Sequence, residues 1–199
     1  MKKICIAIGI ALTFLSCGKK VEDTAYNGIP LETATIGNEA EYLVINAIIE
    51  AYYQPEAGTV IVDQETSQLS QGQTAYLKEE FERQGIAYDS TALLDYAKKN
   101  GTSNYLNDSL TRCLVQLICH QEVTCIFCDE AGWKRFYQKY PQSNGLFQFE
   151  RPGISVENDK AIIQYSVARD YLAAEWYVVI LEKQDGSWTV RQRILTAAA

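Results

Sequence analysis

The chain has 199 residues, 18 basic and 25 acidic side chains, a net charge of −7 and 47% hydrophobic residues. That hydrophobic content excludes a disordered chain, and the length supports one core without metal or disulfide staples. The acidic balance provides no electrostatic footprint for nucleic acid or for anionic lipid headgroups, so no nucleic-acid partner is expected.

The chain opens on Lys2 and Lys3, followed by an apolar run from Ile4 to Leu15. A dozen apolar residues suit the central region of a signal peptide; a membrane-spanning helix needs roughly 20. Ser16 and Cys17 follow, and Gly18, Lys19 and Lys20 end the run. This start resembles the bacterial lipobox, although Phe14 stands where Leu, Val or Ile is usual. The resemblance implies a diacylglyceryl thioether on Cys17, cleavage before it and acylation of the new N-terminus. Several buried acyl chains, at about 0.8 kcal/mol per methylene, anchor a protein stably. By analogy with the enterobacterial sorting rule, Gly18 rather than Asp after the cysteine favours the outer membrane. Without residues 1–16 the chain keeps 16 basic against 25 acidic residues, a net charge of −9.

Residues 17–37 mix charges with Thr, Gly, Asn and one Pro without periodicity, and read as a flexible tether. Residues 38–199 then read as a single domain. Asn38 is placed to cap a first helix, with Glu41 closing a capping box and Ile45, Ile48, Ile49 and Tyr52 at helical spacing. Pro55 and Gly58 stop it. Thr59 to Val62 is β-branched and reads as a buried strand leading to Asp63, Glu65 and Thr66. Helices are expected over Thr74 to Gln84, with Leu77 and Phe81 inward, and over Thr91 to Lys99, capped by Asp89 or Ser90, with Leu93, Leu94 and Ala97 inward. Cys113 to Ile118 fits a buried strand, and its apolar spacing fits a helix as well. Short helices follow over Gln121 to Phe127 and Trp133 to Tyr140, the second ended by Pro141.

Leu146 to Glu150, Lys160 to Ala168, Trp176 to Lys183 and Trp188 to Ile194 read as four strands of an antiparallel meander. Gln184-Asp185-Gly186 marks the last hairpin. Tyr177, Val179 and Leu181 alternate with Val178 and Ile180, so both faces of that strand are apolar and it belongs in the middle of the sheet. The expected fold class is α+β, with N-terminal helices followed by a C-terminal antiparallel β-meander packed on a helix.

Gly132-Trp133, Phe136-Tyr137, Tyr140-Pro141, Ser143, Gly145, Ala161, Tyr177, Leu181-Glu182-Lys183 and Gly186-Ser187-Trp188-Thr189-Val190 together resemble an uncharacterised family of bacterial exported proteins and lipoproteins. The likeness covers the C-terminal half. A glycine-rich segment expected near Arg169 to Glu175 is absent, and Leu195 to Ala199 replaces the usual Trp-Ser-like end. The resemblance supports the fold and implies no chemistry. The closing Gly-x-Trp hairpin is also weakly similar to the end of cystatin-like and nuclear-transport-factor-like domains, whose curved sheets enclose a pocket.

Four cysteines of the domain, Cys113, Cys119, Cys125 and Cys128, fall within sixteen residues. In an exported protein they are candidates for disulfides, with a connectivity that spacing does not decide. Cys119, His120, Cys125 and Cys128 are the candidate metal ligands, but zinc sites usually need two separated pairs and only Cys125-x-x-Cys128 is present. A redox reading needs that pair at a helix N-terminus. His120 is the only histidine, and no nucleophile-elbow motif accompanies it. Asp63 with Glu65, and Asp129 with Glu130, suit acid–base work if they converge. Capping and solvation are their simpler roles. Trp133, Phe136, Tyr137 and Tyr140 read as core and rim rather than as a sugar platform. Thirteen tyrosines make a binding surface plausible without locating it.

No catalytic residue and no cofactor is assigned. The expected function is that of a lipid-anchored binding or interaction module of a bacterial envelope, held to the membrane through Cys17 and facing an envelope partner. A hydrolase-like envelope enzyme, or a small-ligand carrier with a pocket on the sheet's concave face, is the alternative. A flat aromatic patch favours binding; a convergent apolar pocket that holds carboxylates or His120 favours catalysis.

Overall fold

The computed structural model describes residues 30–36, 38–53, 58–70, 72–107 and 115–199. The leader, Cys17, most of the expected tether and Cys113 lie outside them. Among the described residues five helices and seven strands follow in the order α1 (Glu39–Tyr52), β1 (Thr59–Asp63), α2 (Gln73–Gln84), α3 (Ser90–Lys99), β2 (Val115–Ile118), α4 (His120–Ile126), α5 (Gly132–Lys139), β3 (Ser143–Phe149), β4 (Gly153–Ile154), β5 (Lys160–Asp170), β6 (Ala173–Gln184) and β7 (Ser187–Ala198). One mixed sheet runs β2-β1-β3-β5-β6-β7, and β4 pairs with β5 beyond the end of β3. The antiparallel meander is present as β3-β5-β6-β7, with β6 inside the sheet. The parallel portion, in which β1 lies between β2 and β3, adds to it.

Strand periodicity sorts the core onto two faces. Val60, Val62, Phe147, Phe149, Ala161, Ile163, Tyr165, Val167, Val179 and Leu181 meet Val44, Ile45, Ile48 and Ile49 of α1. Each such aliphatic side chain contributes about 1.5–3 kcal/mol when fully buried. On the opposite face, α2 and α3 cover Ile162, Val178, Ile180 and Ile194. Beside them α4 and α5 cover Ile61 with Ile118, Ile126, Trp133, Phe136 and Tyr140. The result is an α+β fold with helices on both sides of the sheet.

The Asn38 side chain accepts from Ala40 N at 3.0 Å, which caps α1 as expected. Glu41 does not close a capping box. It is buried, and Arg151 donates to both its oxygens at 2.9 Å while Lys99 approaches at 3.3 Å. A bidentate guanidinium offsets the desolvation of this carboxylate and ties α1 to the corner between β3 and β4. On α3 the inward residues are Ala92, Leu93 and Tyr96; Leu94 is 70% exposed, contrary to expectation. Gly153 explains the turn of that helix towards β4, because a Cβ there would sit 2.1 Å from Ala92 O and 2.3 Å from Tyr96 N.

Residues 30–36, the end of the stretch expected as tether, are held against the domain. Ile36 is buried, and Gln64 clamps the Glu32 backbone through a donor and an acceptor contact, both 2.7 Å. In the last hairpin, Asp185 and Gly186 both have positive φ, 50° and 82°, as the tight primed turn requires. Opposite β6, the partner of Ile180 is Gln192 and that of Leu181 is Val190; likewise Trp176 faces Ala197 and Tyr177 faces Leu195. β7 therefore carries two bulges, with Arg191 and Thr196 as the extra residues. Such bulges turn the following side chains to the other face of a sheet and blunt its edge.

Candidate functional site

The C-terminal ends of parallel strands are where open α/β sheets commonly gather ligand groups. Here β1 ends at Asp63 and β2 at Ile118, which are partners in the ladder. The register brings Asp63 beside the start of α4, where His120 follows Ile118 and Cys119. His120 Nδ1 lies 2.8 Å from Asp63 Oδ2, and Nε2 lies 3.4 Å from Glu65 Oε2. Asp63 is 3% exposed and its other oxygen accepts from Glu65 N at 3.0 Å. The His120 side chain is 44% exposed. Burial raises the Asp63 pKa, partly countered by His120, and the hydrogen bond to Asp63 is the main cause that raises the His120 pKa. Both directions favour retention of a proton between them. The imidazole thus sits between two carboxylates, with both ring nitrogens engaged.

Thr66 is buried nearby and its Oγ1 accepts from Asn104 N at 3.0 Å, which is a structural role. Asp129 and Glu130 do not form an acid–base pair: Asp129 caps Ala131 N and pairs with Arg135, which holds its carboxyl below the usual range. Trp133, Phe136 and Tyr140 enter the core and Tyr137 stacks at its rim, as expected.

Cys119, Cys125 and Cys128 are free thiols, buried, half-buried and exposed respectively, so the three described candidates form no disulfide with one another. Cys125 lies in the last turn of α4 and Cys128 follows it, whereas the redox reading requires a helix N-terminus. Among the described residues no group of three or more His, Cys, Asp or Glu is placed to hold a metal ion. Cys119, His120, Cys125 and Cys128 are not brought together as such a group; His120 turns to Asp63 and Glu65 instead.

A second cluster lies on the α1 face, and its members are far apart in sequence. Phe149, Tyr165 and Tyr177 are successive cross-strand partners on β3, β5 and β6 and stack at 5.3 Å per step. Tyr53, after the last residue of α1, meets Phe147 edge-on at 4.7 Å and shares a 3.1 Å hydroxyl contact with Tyr165. Arg193 closes the ladder. Its guanidinium carbon is 3.9 Å from the Tyr52 ring centroid and 4.3 Å from that of Tyr177, and Nη1 donates to the Tyr165 hydroxyl at 3.3 Å. Tyr52, Tyr53 and Tyr177 are half-buried and Arg193 is exposed, so the inner end of the ladder is core and the outer end is surface. Burial raises the pKa of Tyr165 and Tyr53, which keeps their hydroxyls protonated as hydrogen-bond donors.

Sequence reasoning paired Asp63 with Glu65, treated His120 apart and did not join the three. Nothing in it located Arg193, because the bulge at Arg191 decides which face that side chain takes. Comparison with protein-family models, with curated proteins and with solved structures finds no match.

Proposed function

We propose that the protein is a lipid-anchored binding module of the bacterial envelope, and that its ligand docks on the tyrosine surface around Arg193. The observation that supports this reading is the half-exposed end of the aromatic ladder, where rings fixed by core packing meet a positioned guanidinium. Tyr presents rigid, amphipathic contact area at low entropic cost, and Tyr and Arg are enriched among the residues that dominate binding surfaces. No helix among the described residues is long and apolar enough to cross a membrane, and this reading assigns attachment to the acylated Cys17.

The test is affinity capture from native membranes with the full chain, the Cys17→Ala protein and the double variant Tyr52→Ala/Tyr177→Ala. Loss of membrane association in the first variant and loss of a captured partner or ligand in the second are the expected results. Recovery of the same material by the double variant overturns the assignment of the surface.

A second reading rests on His120. An Asp-backed imidazole can act as a general base when its distal nitrogen is freed. Displacement of Glu65 from Nε2 by substrate would free it, for hydrolytic chemistry on a water. Hydrolysis of any ester, amide or glycoside that His120→Gln abolishes and Tyr52→Ala leaves intact would establish this reading in place of the first.

A further inference from the structure

The ligand of the tyrosine surface can be narrowed by charge and geometry, an inference that rests on the binding reading above. Arg193 reaches that surface only because β7 contains an extra residue. Val190 faces Leu181 and Gln192 faces Ile180, so the bulge at Arg191 moves Arg193 onto the α1 face, opposite Val179. In an unbulged strand it would point to the face covered by α2 and α3. A bulge that re-aims a side chain at a sheet edge is a common device of functional sites.

The guanidinium is then held by two ring contacts and one hydrogen bond, with Glu175 near enough to feel its charge. Its one hydrogen bond among the described residues goes to the Tyr165 hydroxyl, and no described acidic side chain forms an ion pair with it. Glu175, the nearest acidic group on β6, is engaged by Arg169 at 2.6 Å. Of the five N–H groups that a guanidinium carries, most remain free for an incoming acceptor. Two rings fix its plane, which lowers the entropy lost when both prongs are engaged.

We propose that Arg193 anchors the carboxylate of a small ligand whose planar or apolar body lies against the ring edges of Tyr52 and Tyr177 left open beside the guanidinium. A carboxylate matches the two-pronged guanidinium and carries one negative charge. A phosphate dianion fits less well. The neighbouring Arg169 is already paired with Glu175, the whole chain is acidic, and the site adjoins the C-terminal end of α1, where the helix dipole is negative. The same dipole favours the arginine and so helps to hold it there.

The test uses the full chain in detergent with nitrogen-15-labelled arginine, titrated with benzoate, with benzyl alcohol and with inorganic phosphate at constant ionic strength. Benzoate should shift the Arg193 Nε–H resonance saturably, and neither benzyl alcohol nor phosphate should do so. Binding of benzoate, followed by calorimetry, should weaken about ten-fold or more in Arg193→Gln and several-fold in Arg193→Lys, which keeps the charge and loses the fork. Tyr52→Leu, which leaves all charges in place, should weaken benzoate binding several-fold as a variant independent of any folding defect at Arg193.

Equal binding of phosphate and benzoate, or unchanged benzoate binding in Arg193→Gln, overturns the carboxylate assignment. Saturable binding of benzyl alcohol that Tyr52→Leu weakens, without preference for benzoate, overturns it too and leaves the binding reading standing. No response to any probe, together with failure of the capture experiment, overturns both.

Discussion

Glu150 supplies the sharpest test of the energetics. It follows β3 at the corner before Pro152 and is 3% exposed. The Tyr96 hydroxyl donates to Oε2 and Ser67 Oγ to Oε1, and no cation among the described residues pairs with it. Burial pushes its pKa from 4.5 up to about 7, against the smaller opposing effect of these hydrogen bonds. The folded state therefore holds a proton that the unfolded chain has already released. Stability is fully present below pH 4.5 and falls as pH rises through about 7. The slope between these values is about 1.4 kcal/mol per pH unit, so ionisation costs the fold about 3 kcal/mol by pH 8.

Glu150→Gln removes the charge, keeps an acceptor oxygen for Tyr96 and turns its amide N–H to Ser67 Oγ, which can accept. At pH 5 the variant should match the parent within about 1 kcal/mol, because both side chains are neutral there. At pH 8 it should be more stable by about 2–3 kcal/mol. Urea unfolding from pH 5 to pH 9 measures both proteins, and the difference between them cancels the titration of distant groups. A difference that stays constant across this range, with equal denaturant slopes, would refute the argument that desolvation governs this carboxyl.

Three further outcomes follow from the same geometry. The single histidine titrates above its ordinary value because Asp63 stabilises its charged form; Asp63→Asn should lower its midpoint, read by NMR of the ring protons, and an unchanged midpoint would deny the contact. Since the His120 pKa is raised on folding, the contribution of that contact is present below pH 6.5 and is lost as pH climbs through the folded value. Gly153→Ala should cost about 3 kcal/mol or more, seen as a thermal midpoint lower by several degrees, because the new Cβ meets the backbone of α3 rather than a side chain that can yield. Asn38→Ala should cost about 1 kcal/mol through loss of the α1 cap, while Asn38→Asp should restore most of it.

Chemistry written within a few residues is legible in the sequence itself. The cap at Asn38, the 3.6-residue spacing of Ile45, Ile48 and Ile49, the alternation in β6 and the Asp185-Gly186 turn each depend on neighbours along the chain. So does the expectation for the leader, which rests on charge, apolar length and a cysteine and lies outside the described residues. Leu94 and Glu41 show where local pattern misleads. Leu94 falls on the correct periodic stripe, yet the helix turns Tyr96 and Leu93 to the sheet because Gly153 lets the backbone close in. Glu41 fits a capping box in sequence, and an arginine 110 residues away outcompetes the backbone for it.

The tertiary structure alone decided which distant residues meet. His120 and Asp63 are 57 positions apart and come together because β1 and β2 pair in parallel with Asp63 opposite Ile118. Parallel pairing of separated strands leaves no turn signal in the chain, so no local reading can anticipate it. Arg193 depends on one inserted residue in an edge strand: a shift of one position exchanges the faces of everything beyond it, and only the ladder opposite reveals the shift. The residues that make the surface were all visible in the sequence, and the register that assembles them was not.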